Sequence, residues 1–187
     1  MVPTLGPTLG VTGHRPMVGT RDGKDLLYVL AVVNVATGVL HANTPESPAR
    51  ATAKAGQSQT RRMQEAFASH LRHIARLDPA SAPTRVVLII DNAPWHRGGP
   101  IDEALAEHPH LGFYRLPSYS PQLNVIERFW TLLRRRATHN RFFDGLGDLK
   151  RSLRASLSDY QTMRGRVRKL IAGCYTSPAK RTASPGV

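Results

Sequence analysis

The sequence predicts an α/β fold with a mixed central sheet flanked by helices. Three observations predict it. Val86–Ile90 is an unbroken, β-branched apolar run, which is typical of a strand buried on both faces. Residues 26–35 and 39–42 are apolar segments separated by a Gly-containing turn, which indicates an antiparallel pair. Met63, Phe67 and Leu71 recur with helical spacing, which indicates an amphipathic helix.

The first half of the chain is predicted as a meander followed by a crossover. Residues 1–13 are rich in Gly, Pro and Thr, and we expect them to be extended or loose. Residues 15–20 form a short strand, 21–25 a turn, and the strands 26–35 and 39–42 complete the meander. A loop over 44–56 leads to a helix from Gln57 that ends before Asp78. Residues 79–83 then return the chain to the strand at 86–90 through a parallel crossover.

In the second half, a short helix begins at Pro100 and ends near Glu107, and the next strand covers 111–116. Pro117 and Pro121 stiffen the following loop, and Asn124 is the predicted N-cap of a helix. The core-facing stripe of that helix is predicted to be Leu123, Ile126, Trp130, Leu133 and Ala137. Another helix is supported by Leu146, Leu149, Leu153 and Leu157.

Bulk composition indicates one globular domain inside the cell. The chain has 187 residues, 41% of them hydrophobic, and one cysteine, Cys174, which excludes an intramolecular disulfide. It contains neither an apolar run of membrane-spanning length nor a signal-peptide pattern, so we expect a cytoplasmic protein with no membrane partner. We expect a domain over 1–160 and a basic, partly disordered extension over 161–187.

Positive charge is concentrated in the last third of the chain. The formal net charge is +13, and residues 134–187 carry 13 Lys and Arg against three Asp. An excess of this size and clustering favours nucleic-acid binding over a merely soluble surface, because cations attract the phosphate backbone.

Two acids are the candidates for chemistry. Asp91 stands at the end of the predicted central strand, where open α/β sheets place their ligands, although an aspartate there also suits a simple turn cap. Glu127 lies in the first turn of the helix after the Pro-rich loop, and Arg134 follows seven residues later on the same side. His70 and His73 are spaced for a metal, but no third ligand is evident, so we interpret them as ordinary helix residues.

The segments VVLIIDNAPWH and LPSYSPQLNVIERFW together resemble the catalytic core of DDE-type transposases, specifically the mariner-related bacterial insertion-sequence group. Thirty-five residues separate Asp91 from Glu127. The resemblance implies a ribonuclease H-like fold, in which Asp91 and Glu127 are the second and third members of an acidic triad that binds two Mg²⁺ (or Mn²⁺) ions. It also implies transposon-end and target DNA as partners, a homodimer, and a nucleoid-associated location in a bacterial cytoplasm.

We expect DNA contacts from a set of polar and basic residues near these acids and in the basic third: Asn92, His96, Arg97, Arg128, Arg134, Arg135, Arg136, Lys150, Arg151 and Arg154. For His96 a role in packing the loop is an equal alternative.

The sequence departs from the family pattern at the first triad acid. No Asp or Glu precedes Asp22, and both Asp22 and Asp25 flank a predicted turn rather than a strand centre. We therefore expect an amino-terminally truncated catalytic domain whose first strand is missing and which is inactive alone. The alternatives are a non-catalytic DNA-binding or oligomerising remnant, and a ribonuclease H-like nuclease with another substrate. Val125 also replaces a proline that is frequent in the family.

Overall fold

The computed structural model describes residues 27–45, 58–77 and 85–172. Predictions for residues 1–26, for the segments 46–57 and 78–84, and for 173–187 lie outside the described residues. The elements in chain order are β1 (Leu30–Val33), β2 (Leu40–Asn43), α1 (Gln59–Leu77), β3 (Val86–Ile90), α2 (Gly99–Glu107), β4 (Leu111–Arg115), α3 (Ile126–Ala137), α4 (Leu146–Thr162) and α5 (Arg164–Ala172). Short 3-10 turns at Pro94–His96 and Pro121–Leu123 precede α2 and α3.

The strands of the described residues form two two-stranded sheets. β1 and β2 pair antiparallel, with Val33 opposite Leu40, while β3 and β4 pair in parallel, with Val86 opposite Leu111. The predicted hairpin is confirmed and both strand directions occur, but the described strands form two separate sheets rather than the single mixed sheet that was predicted. The first hairpin strand is shorter than the predicted 26–35, because regular pairing starts only at Leu30.

Helices cover the sheets in a three-layer arrangement. On one side, Phe67 and Leu71 of α1 and Ile101 of α2 pack with Leu88 and Ile90 of β3. On the other side, Phe129 and Leu133 of α3 and Leu153 of α4 pack with Leu27 and Leu40 of the hairpin. The packing thus places α1 and α2 in one core and α3, α4 and α5 in the other.

The prediction that β3 is buried on both faces is wrong. Val87 is 61% exposed and Ile89 is 40% exposed, whereas Leu88 and Ile90 are buried. The cause is the separation of the two cores: α1 and α2 cover one face of β3, but the core beneath α3 to α5 forms around β1 and β2 instead.

The predicted start and buried face of α3 also need correction. The helix begins at Ile126 and Val125 occupies the cap position, although the Asn124 side-chain oxygen still accepts the Ile126 amide at 3.4 Å. Its buried residues are Phe129, Leu133 and Ala137, while the other members of the predicted stripe are half-buried or, like Leu123, exposed. The apolar residues of α3 occupy two adjacent faces, and periodicity alone does not tell which of them packs against α4.

The predicted boundary at residue 160 falls inside α4. Val167 and Ile171 of α5 are buried, and Val167 belongs to the same core as Phe129. The described part of the predicted extension, up to residue 172, therefore packs with the domain. Across the described residues, no helix has the length and apolar character needed to cross a membrane.

Candidate active site at the carboxyl end of strand β3

Asp91 directly follows β3 and is held by two hydrogen-bond donors. Its side-chain oxygen Oδ1 lies 2.8 Å from Nδ1 of His96 and accepts the backbone N–H of Ala93 at 3.0 Å. The hydrogen bond from His96, followed by that from Ala93, lowers the pKa of the Asp91 carboxyl, and these effects outweigh its partial burial. The carboxyl is therefore an ionised group with 52% of its side chain exposed, which suits cation binding.

His96 contacts Asp91 from within the loop that follows β3. Its ring packs against Phe67 of α1 with the ring centroids 4.4 Å apart, and its side chain is 15% exposed. Arg115, at the end of β4, donates to the backbone carbonyl of His96 at 2.8 Å. This geometry is compatible with both predicted roles of His96, packing the loop and contacting DNA. The packed ring orients Asp91 and also lies close to any phosphate bound at that aspartate.

Asn92 and Arg97 hold the same loop in place. Nδ2 of Asn92 donates to the carbonyl of Leu116 at 2.7 Å, and Arg97 donates to the carbonyl of Asn92 at 3.1 Å. Gln64 of α1 donates to the carbonyl of Arg97 at 2.7 Å. These contacts tie the Asp91 loop to β4 and α1, so both side chains have a positioning role, and DNA contact by them stays a prediction.

Glu127 reaches the same region from α3. It is half-buried in the first turn of the helix and lines one cavity together with Asp91, Asn124 and Arg134. The Pro-rich loop before it contains Tyr119 at a φ of 57°, which is uncommon for a non-glycine residue. Asp91, Glu127 and Arg134 thus line the same cavity, and Glu127 and Arg134 share a side of α3, as the seven-residue spacing predicts.

The remaining predicted DNA contacts divide into exposed and engaged side chains. Arg134 and Arg135 are exposed on α3. Arg136 instead forms an ion pair with Asp159 and lies over the ring of Tyr160. Arg128 donates to the carbonyl of Leu170, Arg151 forms an ion pair with Asp148, and Arg154 donates to the hydroxyl of Thr44. Lys150 is half-buried.

Two further features near the site escaped the sequence analysis. Arg115 was not singled out, although its position at the carboxyl end of β4, beside the end of β3, was the available signal. His70 is fully enclosed, at 2% exposed, rather than on the surface of its helix. Among the described residues, no group of three or more His, Cys, Asp or Glu is placed to hold a metal ion.

Asp91 and Glu127 line one cavity of an α/β domain that has a ribonuclease H-like fold. Two solved structures share the fold: a Mos1 transposase paired-end complex with the left transposon end, with a TM-score of 0.54 and 17% identity, and a Mos1 mariner paired-end complex with Mn, with a TM-score of 0.52 and 16% identity. Each match covers 92% of this chain and 51% or 50% of the other.

A model of the DDE superfamily endonuclease family matches residues 19–150, and the chain belongs to that family. The resemblance to DDE-type transposases is thereby confirmed. An uncharacterised protein of Sinorhizobium fredii, y4pE/y4sA, is 33% identical over 85 residues, which are 46% of this chain. The chain spans 58% of the length of that relative and about half the length of the Mos1 transposase chains.

Proposed function

We propose that this chain is the catalytic domain of a DNA transposase, which cleaves and joins DNA strands during insertion-sequence transposition. The observation that carries the proposal is that Asp91 and Glu127 both line one cavity. Membership of the DDE superfamily endonuclease family supports it. The proposed partners are the transposon ends and the target DNA, bound by a homodimer in a bacterial cytoplasm.

The donor atoms of the site fit a hard divalent cation, Mg²⁺ or Mn²⁺. Asp91 and Glu127 offer carboxylate oxygens, and the hydrogen bond from His96 lowers the pKa of the Asp91 carboxyl. Asp91 and Glu127 would hold such cations, which would supply polarisation of the phosphodiester and activation of the attacking oxygen. Arg134, at the same cavity, attracts the DNA phosphates toward carboxylates that would otherwise repel them.

Two carboxylates supply a cation with less negative charge and fewer oxygen ligands than three carboxylates do. Since the sequence contains no acid before Asp22, we propose that this chain alone cleaves DNA at most in traces.

The proposal is tested by measuring Mn²⁺ binding to the chain by electron paramagnetic resonance. Asp91→Asn and Glu127→Gln keep the side-chain shapes but remove the negative charge, so each should weaken binding by roughly tenfold or more. The matched controls are Asp102→Asn and Glu103→Gln, which remove exposed carboxylates on α2. Unchanged binding in both site variants, or equal losses in the controls, would show that the assignment is wrong.

The same variants are then compared in a protein extended by an upstream strand that carries an aspartate. Mg²⁺-dependent nicking of duplex DNA should appear on extension and disappear again with Asp91→Asn or Glu127→Gln. Efficient nicking by the unextended chain that requires Asp22 or Asp25 would contradict the proposed incomplete site but not the transposase proposal. DNA binding without any metal binding would favour a non-catalytic DNA-binding remnant.

A further inference from the structure

The orientation of Asp91 depends on a three-residue 3-10 turn, Pro94–His96, in the loop that follows it. The amide of His96 donates to the carbonyl of Ala93 at 2.9 Å, and the ring nitrogen Nδ1 of His96 lies 2.8 Å from Asp91. No side chain of the described residues caps the start of the turn. Turns of this kind are short, and their last carbonyls lack a partner within the turn, so groups outside it must hold it in place.

Arg115 supplies a donor to the last carbonyl of this turn. Arg115 is the register partner of Ile90 in the parallel pair of β3 and β4, so the two side chains lie on the same side of the sheet, the side that α1 and α2 cover. From the end of β4, Nη2 of Arg115 donates to the carbonyl of His96 at 2.8 Å. Arginine side chains commonly bind the final carbonyls of a helical turn in this way.

Two aromatic rings complete the support of the turn. The guanidinium carbon of Arg115 lies 5.7 Å from the centre of the Phe113 ring, which is within the range of a cation–π contact. The centre of the Phe113 ring is 6.2 Å from that of Phe67, and the centre of the Phe67 ring is 4.4 Å from that of His96. The hydrogen bond from Arg115 to His96 therefore closes a ring of contacts that includes both the backbone and the side chain of His96.

Gln64 of α1 binds the next carbonyl of the same loop. Its Nε2 donates to the carbonyl of Arg97 at 2.7 Å. Gly98 follows with a φ of 111°, and a Cβ added there would lie 2.9 Å from the same Nε2, so the glycine leaves room for the amide of Gln64. Two consecutive carbonyls at the end of the turn are thus bound by donors from two different elements, β4 and α1.

We propose that Arg115 and Gln64 are positioning residues of the candidate active site. By binding the carbonyls of His96 and Arg97, they keep the His96 ring on Asp91 and so hold the Asp91 carboxylate in the orientation that binds a cation. The inference rests on the proposed function, in which Asp91 is a metal ligand. Neither side chain has to touch the cation or the DNA in this role.

The test combines Mn²⁺ affinity, measured by electron paramagnetic resonance, with the NMR signals of the His96 ring protons. Arg115→Met and Gln64→Met keep apolar side-chain stems but remove the donors, and each should weaken Mn²⁺ binding by roughly tenfold. The ring current of Phe67 shifts the His96 ring protons in the folded protein, and both changes should move these signals toward the values of an unstructured chain. Arg115→Lys retains a donor and should keep most of the affinity and of the shift.

A double variant tests whether the two donors act on the same turn. Once one donor is lost and the turn has moved, the second has little left to hold, so the combined change Arg115→Met and Gln64→Met should weaken Mn²⁺ binding little more than either change alone. Arg115→Gln is a further loss variant should Arg115→Met fail to fold, because its shorter side chain does not reach the carbonyl of His96.

Arg72→Met is the matched control for stability. Arg72 also joins α1 to another element of the same core, through hydrogen bonds of 2.6 and 2.8 Å to Glu107, but Glu107 lies at the end of α2 that is remote from this loop. The change should lower the unfolding temperature and leave both the Mn²⁺ affinity and the His96 signals unchanged. An equal loss of Mn²⁺ affinity in Arg72→Met would mean that affinity merely follows stability, and it would overturn the inference.

The remaining outcomes separate the inference from the proposed function. Unchanged Mn²⁺ affinity in Arg115→Met and Gln64→Met, with a loss in Asp91→Asn, would overturn the inference and leave the proposed function intact. If Arg115→Met kept its Mn²⁺ affinity but lowered the salt dependence of duplex DNA binding, Arg115 would be a phosphate contact instead. Mn²⁺ binding that does not depend on Asp91 would contradict the proposed function, and the inference with it.

Discussion

His70 is a buried imidazole whose protonation is linked to stability. Burial lowers its pKa first, and the neighbouring His73 and His41 lower it further, to about 4. The unfolded chain takes up a proton near the ordinary pKa of 6.5, well before the folded chain does. The contribution of His70 to stability is therefore complete above pH 6.5 and is lost as the pH falls toward 4.

We expect the free energy of unfolding to fall by about 2 kcal/mol between pH 7 and pH 5 on account of His70. Urea unfolding at the two pH values measures this loss. His70→Leu should remove most of it, because leucine does not titrate, whereas His108→Gln, on a half-buried loop residue, should leave it unchanged. If the His70→Leu protein lost stability as steeply as the parent, the linkage would belong to other groups.

At the scale of single residues, the sequence predicts where a functional residue lies in the fold better than it predicts which side chains that residue contacts. Asp91 was found from its place at the end of an apolar run, and Glu127 from its place after a rigid loop. The pairing of Asp91 with His96 was not predicted, because it depends on a 3-10 turn that folds His96 back onto Asp91. Arg136 looked like its neighbours in the sequence, and only the packing of α4 shows that Asp159 engages it.

Among the elements, the β1–β2 turn is fixed against α5 at Gly38. Gly38 has a φ of 73°, and a Cβ added there would collide with the carbonyl of Arg164 and lie 2.8 Å from Cβ of Arg168. Gly38→Ala should therefore destabilise the protein by about 1–3 kcal/mol, from backbone strain and displacement of α5.

The matched control for Gly38 is Gly165→Ala, because no atom lies within 4 Å of a Cβ added at Gly165 in α5. This change should be neutral or stabilise by up to about 1 kcal/mol, since alanine is the better helix former. Urea unfolding of both variants measures the difference. If Gly38→Ala were tolerated as well as Gly165→Ala, neither the positive φ nor the contact of the turn with α5 would constrain position 38.

Element types were predictable because the periods of two and of about 3.6 are local properties of the sequence. The hairpin, the strands β3 and β4 and helices α1 to α4 all follow from such patterns. The exposure of Val87 was not predictable, because it depends on how the two cores divide around the sheets. An apolar run predicts a strand that is suited to burial, but the elements that pack around the strand determine whether each of its faces is covered.

At the scale of the whole molecule, the basic residues in the last third of the chain have different structural roles. Arg134 and Arg135 are exposed on α3, and Arg134 lines the cavity that contains both candidate acids. Arg136 is engaged with Asp159 and Tyr160 in the packing of α3 against α4. Net charge alone predicts a DNA-binding surface, but the structure separates the arginines that reach solvent from one that stabilises the fold.

We expect the chain to bind duplex DNA with little sequence preference and with an affinity that falls steeply with salt. Each phosphate contact should contribute about 0.9 to the slope of log K against log salt, so the double change Arg134→Gln and Arg135→Gln should reduce that slope by about 2. Fluorescence anisotropy of a labelled duplex over a range of salt concentrations measures this slope.

Arg136→Gln is the matched control. This change should lower the unfolding temperature and leave the slope unchanged, because the guanidinium of Arg136 is already paired with Asp159. Equal loss of slope in the two proteins would mean that the ion pair with Asp159 opens to bind DNA, and no binding at low salt would remove the electrostatic argument altogether.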